Sequence, residues 1–542
     1  MSAPSNGSVA QKAASGVLIT LCAAQFLMAL DSSVMNVSIA TVAKDLGTTI
    51  TGIQTAIVLY TLVMAMLMVT GGKIGSIVGR KRAFVIGCVI YCAGSLTTSL
   101  SPNLGWLIFG WSFLEGVGAA LIMPAIVALV AGNFPPEGRP RSYGLVGAAG
   151  AIAVAVGPLI GGLATTYASW RWVFAGEVLV GAVILVLARK VADAPSDVRP
   201  RLDWVGSLLW AAAMGLVIVA VLRSSDWGWI LPADGARSVL GMSLVVWFVL
   251  AGLGLMLLFL RHVRRREAAG HDPLVSPELF ANRQMTGGLL MFFFQFLVMM
   301  GLFFAIPLYL SVALGLSAID TGLRLLPLSV TMLLAAAGVP KFFPTVSPRR
   351  VVNISLAIVV LGIVWLLTAM DAQATAEVVS GPLLLIGLGM GGLASQLGAV
   401  TVSAVPDRQS PEVGGLRNTA TQFGASLGTA LAGSILVAAL TASFLTGIDQ
   451  NPAVPEAVVA QANVQLSDGG EFITDAQLQT ALQQAGVDEQ TTQAIVDTNA
   501  EARVDGLRAT LALLALFAMI ALFFTRRVPT SQPGAPPQPG TA

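Results

Sequence analysis

Fourteen separate apolar runs, each about the length of a bilayer-crossing helix, dominate this sequence. A helix needs about 20 such residues to span the hydrocarbon core. The runs lie near 14–39, 50–71, 82–101, 104–131, 141–166, 171–189, 203–222, 238–260, 285–310, 316–338, 350–370, 378–404, 412–445 and 506–525. Of 542 residues, 55% are hydrophobic and 11% charged, whereas a soluble domain carries roughly 25% charged residues. No water-exposed fold hides that much apolar surface. The chain therefore reads as an all-α integral membrane protein with 14 transmembrane helices. A secreted disulfide scaffold, a nucleic-acid-binding module and a cytosolic enzyme are poor fits.

Charge distribution gives the orientation. Short cytoplasmic loops collect Lys and Arg. One set of alternate loops carries Lys73, Arg80, Lys81 and Arg82; Arg139 and Arg141; Arg189, Lys190, Arg199 and Arg201; Arg261, Arg264, Arg265, Arg266 and Arg283; Lys341, Arg349 and Arg350; Arg408; and Arg526 and Arg527. The opposite set carries only Lys44, Arg171, Arg223, Arg237 and Arg503. Fourteen spans with both termini in the cytoplasm fit this alternation. Residues 447–505 then fall outside the membrane as an acidic insert. Thr474-Asp475-Ala476-Gln477 before Leu478 predicts short capped helices there. The Pro/Gly-rich tail after Pro529 reads as disordered.

Other chemistries find no support. Cys22, Cys88 and Cys92 lie within apolar runs and read as packing residues. The two histidines, His262 and His271, read as one charged loop without a metal site. The single Gly-Lys pair, Gly72-Lys73, has Leu67 where a nucleotide-binding loop needs glycine. No Ser/His/Asp set is available for covalent catalysis. Neither ATP nor another cofactor is expected.

Three motifs carry a resemblance. Between runs two and three stands Gly72-Lys73-Ile74-Gly75-Ser76-Ile77-Val78-Gly79-Arg80-Lys81-Arg82. Its spacing resembles the G-x-L-a-D-r-x-G-r-[KR]-[KR] signature of the major facilitator superfamily, with Ser76 replacing the gate aspartate. Run five holds Gly144, Ala153 and Gly157-Pro158-Leu159-Ile160-Gly161-Gly162, similar to that superfamily's antiporter motif. Small residues there allow close helix approach. Trp170-Arg171-Trp172-Val173-Phe174 follows, as in the same family. Run one holds Leu30-Asp31-Ser32-Ser33-Val34-Met35-Asn36-Val37, and run thirteen holds Gly414-Gly415-Leu416-Arg417-Asn418-Thr419, then Gln422-Phe423-Gly424 and Gly428. Both resemble the fourteen-span drug:proton antiporters of the EmrB/QacA type, with Ser33 and Ala40 as departures.

The resemblance implies a major facilitator fold with two six-helix bundles around a central cavity. The expected organisation is a cytoplasmic N-tail 1–13, a first bundle 14–190 and two inserted linker helices 203–261. A cytoplasmic loop 262–284, a second bundle 285–526 containing the insert 447–505, and a tail 527–542 complete it. The implied partners are small-molecule substrates, protons and the lipid bilayer, with no nucleic acid, in a monomer of the bacterial plasma (inner) membrane. The implied motif residues are Gly72, Gly75, Gly79, Arg80, Arg82, Gly157, Pro158, Gly161 and Gly162.

Deep charges are costly in lipid and mark function by default. Three carboxylates lie deep in the spans: Asp31, Glu115 and Glu177. They are the candidate proton-coupling and substrate-binding residues. Family members usually carry an arginine and a glutamine in run four, where this chain has Ser112 and Glu115. The usual Asp–Arg pairing is thus unavailable. Asp31 and Glu115 are expected to face one water-filled space, where a proton and a cationic substrate would compete for the same charge. Glu177 has two readings, an outer-mouth acid or a local partner of Arg171.

The second half reads as nearly free of buried charge. Met291, Phe292, Phe293, Phe294, Gln295, Phe296, Met299, Met300, Phe303 and Phe304 form an adaptable stripe. Asn36, Ser112, Phe292, Phe296, Met299 and Phe303 are candidate pocket lining, although such stripes are more often packing. Gln396 and Gln422 read as helix glue, and Asp320 with Arg324 as a local pair. The expected function is proton-coupled multidrug efflux of amphipathic, cationic compounds by alternating access. A dedicated natural-product exporter and a lipid or envelope-precursor translocator are the alternatives.

Overall fold

A computed structural model describes residues 6–135, 138–193, 201–233, 235–371, 375–405, 410–456, 458–459 and 475–531. The expectations for Arg199, Arg408, Thr474 at the start of the capped-helix motif, and the tail beyond 531 lie outside these residues.

Among the described residues, fourteen helices are long and apolar enough to cross a membrane. Spans 1 to 7 are Ser15–Asp45, Ile50–Val78, Arg80–Ser99, Leu104–Asn133, Ser142–Tyr167, Arg171–Lys190 and Trp204–Leu222. Spans 8 to 14 are Leu244–Ala268, Arg283–Ala313, Ala318–Phe342, Pro348–Ala369, Ala376–Thr401, Glu412–Gln450 and Glu489–Arg527. Small polar residues set several starts by accepting an otherwise orphaned backbone N–H. Thr49 accepts from Gly52 at 3.0 Å, Asn103 from Trp106 at 3.1 Å, Asp203 from Gly206 at 3.0 Å and Asn282 from Met285 at 3.0 Å.

The helices pack by small-residue seams. Span 5 lies along span 1, and Gly157 faces Ser33 while Gly161 faces Val34. Span 5 also meets span 10. A Cβ on Gly162 would come within 2.7 Å of the Ala318 carbonyl oxygen, and one on Gly322 would strike the Pro158 carbonyl. These glycines let two backbones touch. Span 13 runs between spans 2, 9 and 14. Ser426 Oγ donates to the Val58 carbonyl at 3.0 Å and Gln54 Nε2 to the Thr429 carbonyl at 3.1 Å, which ties spans 2 and 13 together.

Spans 8 and 14 differ most from the hydropathy reading. Span 8 starts at Leu244, six residues later than expected. Ser238–Val239 instead pairs with Met242–Ser243 around Leu240 (φ 53°) and Gly241 (φ 76°), a tight reversal that no apolar count reveals. Span 14 begins at Glu489, because a polar helix continues directly into the apolar one. Within the insert, Asp475–Gln484 is helical, and the buried Arg503 pairs with Asp475.

His262 is not in a loop. It lies in the last turns of span 8, and its Nε2 sits 2.9 Å from Oδ1 of the buried Asp203. Arg266 approaches the same carboxylate at 3.6 Å. One acid therefore caps span 7 and clamps it to span 8. The local Asp320–Arg324 pair does not form either. Asp320 bonds Ser317, and Arg324 reaches Glu377 at 3.9 Å.

Candidate functional site

The three deep acids come together. Asp31 of span 1, Glu115 of span 4 and Glu177 of span 6 present carboxylate oxygens all within 4.8 Å of one another. Their exposures are 0%, 0% and 2%. Spans 3 and 4 build the surroundings. Trp111 Nε1 donates to both Asp31 oxygens, at 2.8 and 3.1 Å. Tyr60 stacks on that indole with ring centroids 5.0 Å apart. Tyr91 and Ser95 hydroxyls donate to Glu177 Oε2 at 2.9 and 3.1 Å. Thr98 donates to Glu115 Oε1 at 3.1 Å. Glu115 Oε2 and Glu177 Oε1 are buried with no hydrogen-bond partner.

Local backbone shape makes this possible. Ile108–Glu115 winds as a π-helix inside span 4. Such wide turns rotate the following side chains relative to an α-helix and recur at functional sites. Gly94 of span 3 leaves room for the Glu115 chain, since a Cβ there would lie 2.5 Å from Glu115 Cγ.

Two expectations change here. Glu177 does not pair with Arg171, which bonds Asp45 and the Ser101 carbonyl instead. Asp31 and Glu115 do share one site, but it is sealed inside the first six spans rather than open to a central space. None of the ion pairs among the described residues includes any of the three acids. The oxygen donor set would suit a hard cation. Four hydroxyl and indole groups already donate hydrogen to it, an arrangement better matched to carboxyls that gain and lose protons.

Other candidate residues take different places. Ser112 Oγ donates to the Ala56 carbonyl at 2.8 Å, which ties span 4 to span 2 and does not line a pocket. Asn36 Nδ2 bonds the Ser32 carbonyl at 2.7 Å, and its Oδ1 is buried without a partner. Met299 and Phe303 are core residues; Phe296 is half-buried. Phe292 lies beneath the Arg417 guanidinium, whose central carbon is 4.6 Å from the ring centroid. This corrects the reading of the second half as nearly free of buried charge. Arg417 lies six residues into span 13, and its Nε is buried without a partner. Gln422 Nε2 contacts Met64 Sδ at 3.1 Å across spans 13 and 2.

The basic loop between spans 2 and 3 is held by a carboxylate other than the one missing at Ser76. Ser76 Oγ turns back to the Lys73 carbonyl at 2.7 Å. Asp193, just beyond span 6, accepts from the Lys81 backbone N–H at 3.0 Å and lies against Gly79 (φ 104°). Arg80 reaches the Ala128 carbonyl at 3.5 Å, and the Arg82 side chain lies beside Gly79. Lys73 Nζ donates to the Pro273 carbonyl at 3.1 Å, and Glu412 of span 13 accepts from the neighbouring Ser276. Gly72 faces Pro124 and Gly75 faces Ala83.

Sequence reasoning missed Trp111, Tyr91, Ser95 and Arg417. A polar stripe on span 3 (Tyr91, Ser95, Thr98, at helical spacing) was the available signal for a buried acceptor.

A bundle of 14 membrane-length helices, seamed by glycine and carrying a sealed acid cluster, defines a polytopic membrane transporter. The Major Facilitator Superfamily profile matches residues 21–429, and the chain belongs to that superfamily. Among curated relatives, a puromycin resistance protein (pur8) of Streptomyces alboniger is 31% identical over 80% of this chain and 84% of its own. A cephamycin export protein (CmcT) of Amycolatopsis lactamdurans is 31% identical over 77% and 84%. A probable actinorhodin transporter of Streptomyces coelicolor is 27% identical over 85% and 79%. Among solved structures, an inward-facing bacterial homologue of the lysosomal transporter Spinster matches with TM-score 0.58 and 14% identity, covering 95% of this chain and 97% of its own. A D-xylose–proton symporter matches with TM-score 0.56 and 13% identity, covering 95% and 98%. These two likenesses concern the fold alone.

Proposed function

We propose that this transporter exports amphipathic organic compounds, driven by inward proton movement through Asp31, Glu115 and Glu177. The observation that carries the reading is the acid cluster. Three carboxylates within 4.8 Å, without a nearby cation, cannot all be charged in a low-dielectric interior. They titrate as one unit that holds at least one proton. Helices from four spans meet there, so a change in proton occupancy biases how spans 1, 3, 4 and 6 pack. The conformational cycle is thereby coupled to the proton gradient.

Because the cluster is sealed, protons and substrate do not compete for one charge in this reading. In this reading the substrate binds apart from the acids, beside Phe292 of span 9 and Arg417 of span 13. The Lys/Arg-rich loop ends face the cytoplasm of a bacterial inner membrane. The relatives' names, which speak of resistance to or export of antibiotics, favour natural products of that kind as substrates. They also favour a narrow substrate range over a multidrug one.

The test is uptake into inside-out vesicles containing the purified protein and an acidic lumen. Labelled puromycin and a panel of aromatic natural products serve as candidate substrates. Uptake of at least one compound that collapses on adding a protonophore supports the reading. Uptake indifferent to the protonophore, or none for the whole panel, counts against it.

A further inference from the structure

The acid cluster leaves one half-buried charge within a span, Arg417, without a role. Arg417 lies in span 13 on the face turned toward span 9. Seven residues further along the same face, Gly424 packs against the Phe293 backbone. One turn toward the helix start, Gly414 faces Val127 of span 4. Arg417 therefore sits where helices from both ends of the chain converge. Its guanidinium carbon lies 4.6 Å from the Phe292 ring centroid, its Nε is buried and unpartnered, and the side chain is partly open. No ion pair among the described residues uses it.

An arginine half-buried within a membrane span, with no counter-ion among the described residues, is costly unless something else supplies the negative charge. A guanidinium presents a planar fork of donors that matches a carboxylate bidentately. The ring beneath it attracts the cation and adds an apolar surface beside the charge. We propose that Arg417 and Phe292 form a subsite for the acidic group of the transported compound, an aromatic carboxylate or phenolate. The inference deepens the export reading by naming a substrate class. Substrates are then aromatic acids or zwitterions rather than simple lipophilic cations.

The experiment uses the full chain in lipid nanodiscs, with empty discs subtracted. Rhodamine B, an aromatic zwitterion with a free carboxylate, is compared with its ethyl ester, identical except that the acid is masked. Binding is read at equilibrium by fluorescence anisotropy without any proton gradient, so a failure of proton coupling leaves this measurement untouched. The expected result is at least about tenfold tighter binding of the acid, roughly one charge-assisted hydrogen bond's worth. Arg417→Gln is expected to abolish that preference by weakening the acid and sparing the ester. Equal binding, ester preference, or no binding of either dye by the unmodified protein overturns the proposal, whether or not the variant folds. A preference that survives Arg417→Gln overturns it as well.

Discussion

Trp111 of span 4 donates its single indole hydrogen across to Asp31 of span 1, 2.8 Å from one carboxylate oxygen and 3.1 Å from the other. A donor with no acceptor capacity can serve the acid whether it carries a charge or a proton. Tyr60 holds the indole by stacking, at 13° between ring planes. Trp111→Phe keeps most of the apolar volume and removes the donor. A hydrogen bond to a charged group contributes about 1.5–3 kcal/mol. Gradient-driven transport should therefore fall by about tenfold or more, while substrate binding at equilibrium changes little. Initial rates in vesicles, beside a binding isotherm, check this.

Spans 5 and 10 touch backbone to backbone through Gly162 and Gly322. Thr166 Oγ1 accepts the Ile319 N–H at 3.2 Å in the same seam. A valine at Gly322 cannot share that space with the Pro158 carbonyl. A Thr166→Cys/Ile319→Cys pair should cross-link readily in the otherwise unchanged protein. Adding Gly322→Val should suppress the cross-link and abolish transport, with the protein still inserted in the membrane.

Asp203 is almost wholly buried, yet it serves the span 7 amides, His262 and Arg266 together. Removing a helix cap costs about 1 kcal/mol, and leaving His262 and Arg266 without their shared acceptor adds to it. Asp203→Ala should lose about 1–3 kcal/mol of stability by these magnitudes. Asp203→Asn, which keeps an acceptor for the cap, should lose less. Thermal unfolding of the purified variants ranks them.

How far the sequence foretells this molecule depends on how many helices a feature involves. The spans follow from composition along one segment, so their number is legible. Span 8 departs at its start because a hairpin at Leu240-Gly241 interrupts an apolar run by backbone geometry alone. Glu177 is read as a partner of Arg171 when only its own helix is considered. In the folded chain Tyr91 and Ser95 of span 3 compete for it and win, while Asp45 takes the arginine. Arg417 is visible in the sequence inside a recognisable motif, yet only the fold shows that it lies over Phe292 of span 9. Contacts between distant segments are what the linear pattern does not contain.

Asp488 caps the helix that becomes span 14, accepting the Thr491 N–H at 3.0 Å. That backbone hydrogen bond holds its carboxyl below the ordinary value of 3.8. A depressed acid contributes stability above its unfolded value and loses it as pH falls through the folded one. Relative to its intrinsic exchange rate, the Thr491 amide should be protected at neutral pH and should lose that protection once the pH drops below that ordinary value. Asp488→Ala should lack the protection at every pH. Hydrogen–deuterium exchange with mass spectrometry reads both.

The acid cluster is best judged by proton flux itself. Purified protein is reconstituted into inside-out vesicles with an acidic lumen and a trapped pH-sensitive dye, and substrate is then added. Substrate-dependent alkalinisation of the lumen is predicted for the unmodified chain. Asp31→Asn, Glu115→Gln and Glu177→Gln should each abolish it, because each removes one member of a single titrating unit. Alkalinisation that persists at full rate in all three variants would contradict proton coupling through Asp31, Glu115 and Glu177.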